Sequence, residues 1–139
     1  NLLIIDAGSA ITYDFVSEAG EYLGGNIAPG LKMRLTILQR MTKKLPLVEV
    51  DENELIPLFG KNTRDAIAAG VVRGVAYEVK GYMRTLREKV PHFQTYLTGG
   101  HASYILNNVR TSRTENRAMH HEKYLVLIGL NEILRFNKQ

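Results

Sequence analysis

The chain has 139 residues, 45% of them hydrophobic and 23% charged, which is typical of a single globular domain with its own core. It contains no cysteine, which excludes disulfides and thiolate chemistry, and no apolar run approaches the ~20 residues that a membrane helix needs. No secretory signal segment is present, so we expect a cytoplasmic protein. The formal net charge of +4 suits an anionic ligand without choosing between nucleotide and nucleic acid.

Residues 2–16 predict a strand, a tight turn and a second strand. Two β-rich runs, 2–5 and 11–16, flank a turn of small residues. Gly8 in this turn can adopt a positive φ, and its missing side chain lets a ligand approach the backbone. The alternative is an ordinary β-hairpin with a glycine turn.

The same turn carries the donors of an anion site. Free N–H groups at Gly8, Ser9 and Ala10 would form a concavity for an anion, and the Ser9 hydroxyl adds a donor. Asp6, at the end of the first strand, would hold a cation that offsets phosphate charge, with Asp14 as a weaker candidate. The alternative for Asp6 is a solvated aspartate.

A third strand is predicted over residues 21–27, completing an antiparallel meander. Its paired glycines, Gly24 and Gly25, indicate a bulge or a close approach by another group. Apolar residues at helical spacing then predict a helix over 31–41. Its predicted apolar face comprises Leu31, Met33, Leu35, Ile37 and Leu38.

A long helix is predicted within residues 60–90, ending near Pro91. Asn62 or Thr63 would cap its N-terminus, and capping alone accounts for Thr63 without a ligand. Lys61 fits either a solvated charge or a phosphate contact. Small residues at positions 66, 69, 70 and 74 would admit another helix closely, within the molecule or at a dimer seam.

A strand over 93–98, the pair Gly99-Gly100 and a helix over 102–108 follow. This order is a known geometry for holding a nucleotide over backbone N–H groups, although a glycine-rich loop without a ligand also fits. His101 would touch such a ligand or lie on the surface.

Residues 111–123 are polar and rich in basic side chains. They predict a flexible loop or a nucleic-acid patch, and no aromatic platform supports the patch. A final helix is predicted over 124–136. The sequence contains no zinc-ligand spacing, no Walker motif and no helix-turn-helix.

Six stretches, taken in order, resemble the C-terminal half of type III pantothenate kinases, within the actin-like, sugar-kinase and heat-shock ATPase superfamily. They are DAGSAITYDFV (6–16), YLGGNIAPGL (22–31), LPLV (45–48), GKNTRDAIAAGV (60–71), YLTGG (96–100) and LVLIGLNEIL (125–134). The resemblance implies an α/β fold, the ribonuclease H-like half of an actin-like ATPase. Its three-stranded antiparallel meander would be extended by further strands, with helices packed on the sheet.

The resemblance implies transfer of a phosphoryl group from ATP to pantothenate in coenzyme A biosynthesis, with Mg²⁺ and a monovalent cation, K⁺ or NH₄⁺. By position, Asp6 would hold the monovalent cation and Ser9, standing where the family usually has threonine, would contact the ATP phosphates. Gly99 and Gly100 would flank the nucleotide. Thr63 would contact pantothenate across the interface of a homodimer.

The family's N-terminal lobe, with its first phosphate loop and general-base aspartate, is not matched. We therefore expect residues 1–139 to be one domain, the C-terminal lobe of a longer two-lobed kinase, with no catalytic residue and no substantial activity alone. The abrupt start at Asn1 agrees with this expectation. Two alternatives stay open: a transcriptional accessory module like the Bvg accessory factor, and an actin-fold kinase for another small alcohol.

Overall fold

The computed structural model describes residues 1–109 and 119–137. In this part of the chain, one sheet contains the strands β1 (Leu2–Ala7), β2 (Ala10–Val16), β3 (Tyr22–Pro29), β4 (Gln94–Thr98) and β5 (Met119–His121). The helices are α1 (Leu31–Met41), α2 (Thr63–Lys89), α3 (Ala102–Val109) and α4 (Leu125–Phe136).

The strand order in the sheet is β3-β2-β1-β4-β5. β1, β2 and β3 form an antiparallel meander, whereas β4 pairs parallel with β1, and β5 parallel with β4. This mixed arrangement is the ribonuclease H-like sheet of actin-like ATPase lobes, and it confirms the predicted fold class. β1 is the central strand, and Asp6 near its end lies beside Thr12 on β2 and Thr98 on β4.

One face of the sheet is buried because the strands alternate apolar residues toward it. Leu3 and Ile5 on β1 adjoin Thr95 and Leu97 on β4, and all four are at least nine-tenths buried. The opposite face is only partly covered, and Ile4 on β1 is intermediate in burial. The core therefore lies on one side of the sheet, where the long helix α2 packs.

α2 follows the predicted helical pattern closely. Its apolar stripe from Ile67 to Met83 is buried, as expected for an amphipathic helix. Asn62 is the N-cap, and its side-chain oxygen accepts a hydrogen bond from the Asp65 N–H at 2.9 Å. Thr63 is therefore the first helical residue and not the cap.

A side-chain network joins α2 to the sheet and to α1. The Tyr13 hydroxyl donates to Glu78 Oε1 at 2.6 Å, and Arg34 Nη2 donates to Glu78 Oε2 at 2.8 Å. Arg34 Nε also donates to the Pro29 carbonyl at 2.7 Å. Burial, together with the hydrogen bond to Glu78, raises the pKa of the Tyr13 hydroxyl well above its usual range. This network fixes the end of β3 relative to the core.

The predicted glycine irregularity in β3 is confirmed. Gly24 has φ of +122°, and the pairing of β2 with β3 shifts register between Phe15 and Val16. At Gly25 a Cβ would lie 2.7 Å from the Tyr13 carbonyl oxygen, so a side chain there would clash with the neighbouring strand. Both predicted explanations, the bulge and the close approach, therefore apply.

Two sequence expectations need correction. The spacing predicts an apolar face of α1 that includes Met33 and Ile37, but both are exposed, because α1 buries only a narrow side that contains Leu31 and Leu35. Residues 119–121 were expected in a loop but form β5. The rest of the basic stretch, residues 110–118, lies outside the described residues. No helix in the described ranges is both long and apolar enough to cross a membrane.

Candidate functional site

The bend between β1 and β2 is open to solvent at its tip. Ser9 is exposed, and neither its N–H nor its hydroxyl forms a hydrogen bond with any described residue. The Gly8 N–H, in contrast, donates to the Ala10 carbonyl at 3.0 Å, inside the bend. The Gly8 N–H, one of the predicted anion donors, is therefore already bonded. The Ser9 N–H and hydroxyl have no partner among the described residues and can bind an anion.

The end of β3 forms one wall of this bend. The Gly30 N–H donates to the Ser9 carbonyl at 3.1 Å. A Cβ at Gly30 would lie 2.5 Å from the Gly8 carbonyl oxygen, too close for a side chain. No role for Gly30 was predicted from the sequence. The signal that it supports the bend was its place directly after a strand.

The turn between β4 and α3 forms the opposite wall. Gly99 has φ of +91°, and a Cβ there would lie 2.7 Å from the carbonyl carbon of Ala7. The His101 N–H donates to the Ala7 carbonyl at 3.0 Å, which ties this turn to the end of β1. Gly100 has open space around it. The structure thus brings the two predicted glycine turns together.

Two helices begin beside the bend. α1 starts directly after Gly30, which provides no side-chain cap, and α3 starts three residues after Gly99. Neither helix has an acidic residue in its first turn. The partial positive charge of both N-termini is therefore left unneutralised by carboxylates of the helices themselves, which favours an anion between them.

Asp6 is the acidic residue of this region, and it is partly buried at the end of β1. In the described part of the chain, no cluster of three or more His, Cys, Asp or Glu side chains could hold a metal ion. A divalent ion held by protein carboxylates alone does not fit here. One carboxylate suits an ion that is shared with phosphate oxygens.

Asp14, the weaker cation candidate, is engaged in the sheet. Its carboxylate accepts hydrogen bonds from the Thr12 hydroxyl at 3.0 Å and from the Tyr22 hydroxyl at 3.1 Å. The hydrogen bond to Asp14 raises the pKa of Tyr22. These bonds favour a structural role for Asp14.

Thr63 is the first residue of α2. It lines an open, mostly apolar groove of about 730 Å³ between α1 and α2, together with Arg34, Ala66 and Gly70. Pro29 also lines this groove and pairs with Ala10 of the bend in the sheet. The end of β3 therefore connects the groove that Thr63 lines with the bend.

A second cavity, of about 290 Å³, lies next to the two helix N-termini. Leu31 and Lys32 of α1 line it from one side, and His101 and Tyr104 line it from the other. The His101 Nδ1 and the Tyr104 hydroxyl are buried without a hydrogen-bond partner among the described residues. Burial raises the pKa of Tyr104, so its hydroxyl stays a donor. No pattern in the sequence predicted a role for Tyr104.

The fold is that of one lobe of an actin-like kinase or ATPase. The model of the type III pantothenate kinase family matches residues 1–85. The chain belongs to this family, which confirms the resemblance drawn from its motifs.

The sequences of relatives align with nearly the whole chain. The type III pantothenate kinase of Bacteroides fragilis is 42% identical over 137 residues, covering 99% of this chain and 53% of the relative. The Porphyromonas gingivalis kinase is 43% identical, with 98% and 54% covered. A Campylobacter jejuni crystal structure, described as a Baf family transcriptional activator, matches with a TM-score of 0.70 and 26% identity. That match covers 98% of this chain and 58% of that one. The chain spans about half the length of the curated relatives it matches.

Proposed function

We propose that this chain is the C-terminal nucleotide- and cation-binding lobe of an ATP-dependent pantothenate kinase, acting in coenzyme A biosynthesis in the cytoplasm. The observation that carries the proposal is the exposed Ser9, which has no hydrogen-bond partner among the described residues and lies between two glycine walls and two helix N-termini. Phosphoryl transfer depends on positioning and on stabilising negative charge, and this arrangement provides both.

The nucleotide's phosphates would lie on the bend formed by Gly8, Ser9 and Ala10. Gly99 and Gly100 would flank the nucleotide on the α3 side, where a side chain at Gly99 has no room. The nucleoside would extend toward the cavity beside Tyr104, whose hydroxyl lacks a partner among the described residues. An adenine ring offers acceptors for that donor.

Asp6 would hold the monovalent cation, K⁺ or NH₄⁺, close to the phosphates. ATP with Mg²⁺ supplies the phosphoryl group, and the cations reduce the charge repulsion that opposes its transfer. The Asp6 carboxylate adds the negative charge that keeps a cation at this end of the sheet. Its single carboxylate agrees with a weakly held, monovalent ion.

Thr63 would contact pantothenate at the surface of a homodimer. Its groove is apolar, and the small residues Ala66 and Gly70 beside it are exposed. A second copy could approach α2 closely along these small residues. The pantothenate site would then combine groups from two chains.

The lobe would need its counterpart for chemistry. Neither aspartate of this region is proposed as a general base, because Asp14 is bonded within the sheet and Asp6 would hold the cation. We expect the purified 139-residue chain to phosphorylate no measurable pantothenate. Turnover by this chain alone, measured with radiolabelled ATP, would contradict the proposal.

Calorimetry with MgATP tests the bend directly. Ser9→Ala should weaken binding by about tenfold or more, because a hydrogen bond to a charged group contributes about 1.5 to 3 kcal/mol. Ser17→Ala is the matched control, because Ser17 lies in the turn between β2 and β3, at the opposite end of the sheet. Asp6→Asn should remove the stimulation of binding by K⁺. Equal affinities in wild type and Ser9→Ala would refute the site.

A second candidate function is favoured by the description of the Campylobacter jejuni structure as a transcriptional activator. The net charge of +4 is compatible with DNA. Filter binding at physiological salt separates the two functions. Salt-sensitive DNA binding would support the regulatory module, and its absence would leave the kinase lobe.

A further inference from the structure

α4 is an apolar helix that buries none of its residues. Its 12 residues, LVLIGLNEILRF, include no buried position. Val126, Leu127 and Ile128 are 54%, 61% and 49% exposed, and Phe136 is 79% exposed. Isolated helices of this length are marginal in water, so α4 requires a covering surface.

The apolar surface of α4 is wider than one stripe. Three consecutive residues, Val126 to Ile128, are all large, apolar and exposed, and they span about 200° of the helix circumference at 100° per residue. Leu130, Ile133 and Leu134 continue this surface along the next turns. A helix that is apolar on several sides is typically enclosed by neighbouring elements.

The charges on α4 argue against an anionic partner. Its two charged side chains, Glu132 and Arg135, form an ion pair with each other at 3.0 Å. The helix therefore presents no net charge to nucleic acid or to an acidic membrane surface. A second copy of α4 would cover one seam of about 100°, and would leave the remaining apolar side chains in water.

The surface that covers α4 must therefore be neutral and apolar, and it must enclose the helix on several sides. The curated relatives carry nearly as many further residues as the part that matches this chain, since the match covers 53% and 54% of two of them. We propose that α4 docks into the second lobe formed by those further residues. This inference rests on the proposed function, which requires two lobes.

Co-expression tests the docking surface. The probe is the part of the Bacteroides fragilis type III pantothenate kinase that lies outside its match with this chain. The wild-type chain should form a 1:1 complex with it, measured by size exclusion with light scattering. Residues 125–136 should become protected from hydrogen exchange in the complex.

The double variant Leu127→Ser, Leu130→Ser should weaken this complex by about tenfold or more, because it replaces apolar contact with hydroxyls. Its control is Leu55→Ser, Leu58→Ser, which changes two exposed leucines of the 51–62 loop. Neither pair is buried, so both variants should keep the wild-type unfolding temperature.

Three outcomes would overturn the inference. They are an unchanged affinity in the α4 variant, no complex with the wild-type chain, and self-association of the chain that the α4 variant abolishes. MgATP binding by the same samples reports on the bend and not on α4. A chain that binds MgATP but forms no complex therefore refutes the docking surface alone, whereas loss of MgATP binding refutes the proposed function.

Discussion

α2 and α4 contrast two uses of a helix in one chain. α2 is 27 residues long and carries charged residues along its outer side, yet it buries a continuous apolar stripe against the sheet. α4 is shorter and more apolar, and it buries no residue. Overall hydrophobicity therefore does not decide which helix forms the core.

The difference is one of pattern and partner. α2 matches a sheet face that alternates apolar residues, and it is fixed there by the hydrogen bond between Tyr13 and Glu78. α4 follows the short edge strand β5, and none of its residues is buried against the described part of the chain. The folding free energy of this lobe should therefore depend on α2 and hardly on α4.

Truncating one side chain on each helix tests that comparison most strongly. Met83→Ala should lower the free energy of unfolding by about 3 kcal/mol, because Met83 is 4% exposed and its loss leaves a cavity. Leu130→Ala, at a residue 51% exposed, should change it by less than about 0.5 kcal/mol. Urea unfolding measures both. Equal losses would mean that α4 belongs to the core.

The two adjacent glycines of the β4–α3 turn provide the next test. Gly99→Ala should cost about 2 to 3 kcal/mol, because the residue has a positive φ and a Cβ would meet the Ala7 backbone. Gly100→Ala, with open space around it, should cost less than about 1 kcal/mol. Urea unfolding and MgATP affinity should rank the variants alike. A tolerated Gly99→Ala would contradict the described wall of the bend.

Tyr13→Phe tests the attachment of α2 to the sheet through its pH dependence. The folded protein raises the pKa of Tyr13 above its usual 10.0, so the protonated hydroxyl stabilises the fold below that pH. This stabilisation, about 1 kcal/mol, should be lost as the pH rises above 10. Thermal unfolding between pH 7 and 11 should show a steeper decline for wild type than for Tyr13→Phe. Parallel curves would contradict the buried hydrogen bond.

The smallest effect is expected at Arg64 and Glu54, an exposed ion pair that lies outside the buried stripe of α2. The hydrogen bond from Arg64 lowers the pKa of Glu54 from its usual 4.5. The pair should therefore stabilise the fold above pH 4.5, and this contribution should fade as the pH falls further. Glu54→Gln should slightly reduce the change of the unfolding temperature with pH between pH 3 and 6. Glu18→Gln, at an exposed residue without an ion pair in the described structure, is the control.

Much of the fold was predictable because its signals are local. Helical spacing gave α1 and α2 within a few residues, and glycine pairs marked both the bulge of β3 and the turn before α3. β5 was missed because three residues, Met119 to His121, carry too little pattern, and their pairing with β4 is a tertiary contact. The exposure of Met33 and Ile37 depends on which side of α1 meets its neighbours, which the spacing alone does not fix.

The site was predictable in part for the same reason. Ser9 and Gly99 stand in small-residue turns that signal backbone exposure or close approach. The use of the Gly8 N–H within the bend, and the wall formed by Gly30, depend on distances between segments that are far apart in sequence. The assignments of Asp6 and Thr63 to a cation and to pantothenate stay predictions.

The central position of β1 has a consequence for how the lobe assembles. β1 can pair with β2 as soon as both are made, but its parallel partner β4 begins only at residue 94. Closing so long a loop costs chain entropy before the new contacts repay it, so this step should be slow. During synthesis, the β1–β2 hairpin leaves the ribosome before Gly99 does. The wall of the bend that Gly99 forms is therefore added only later.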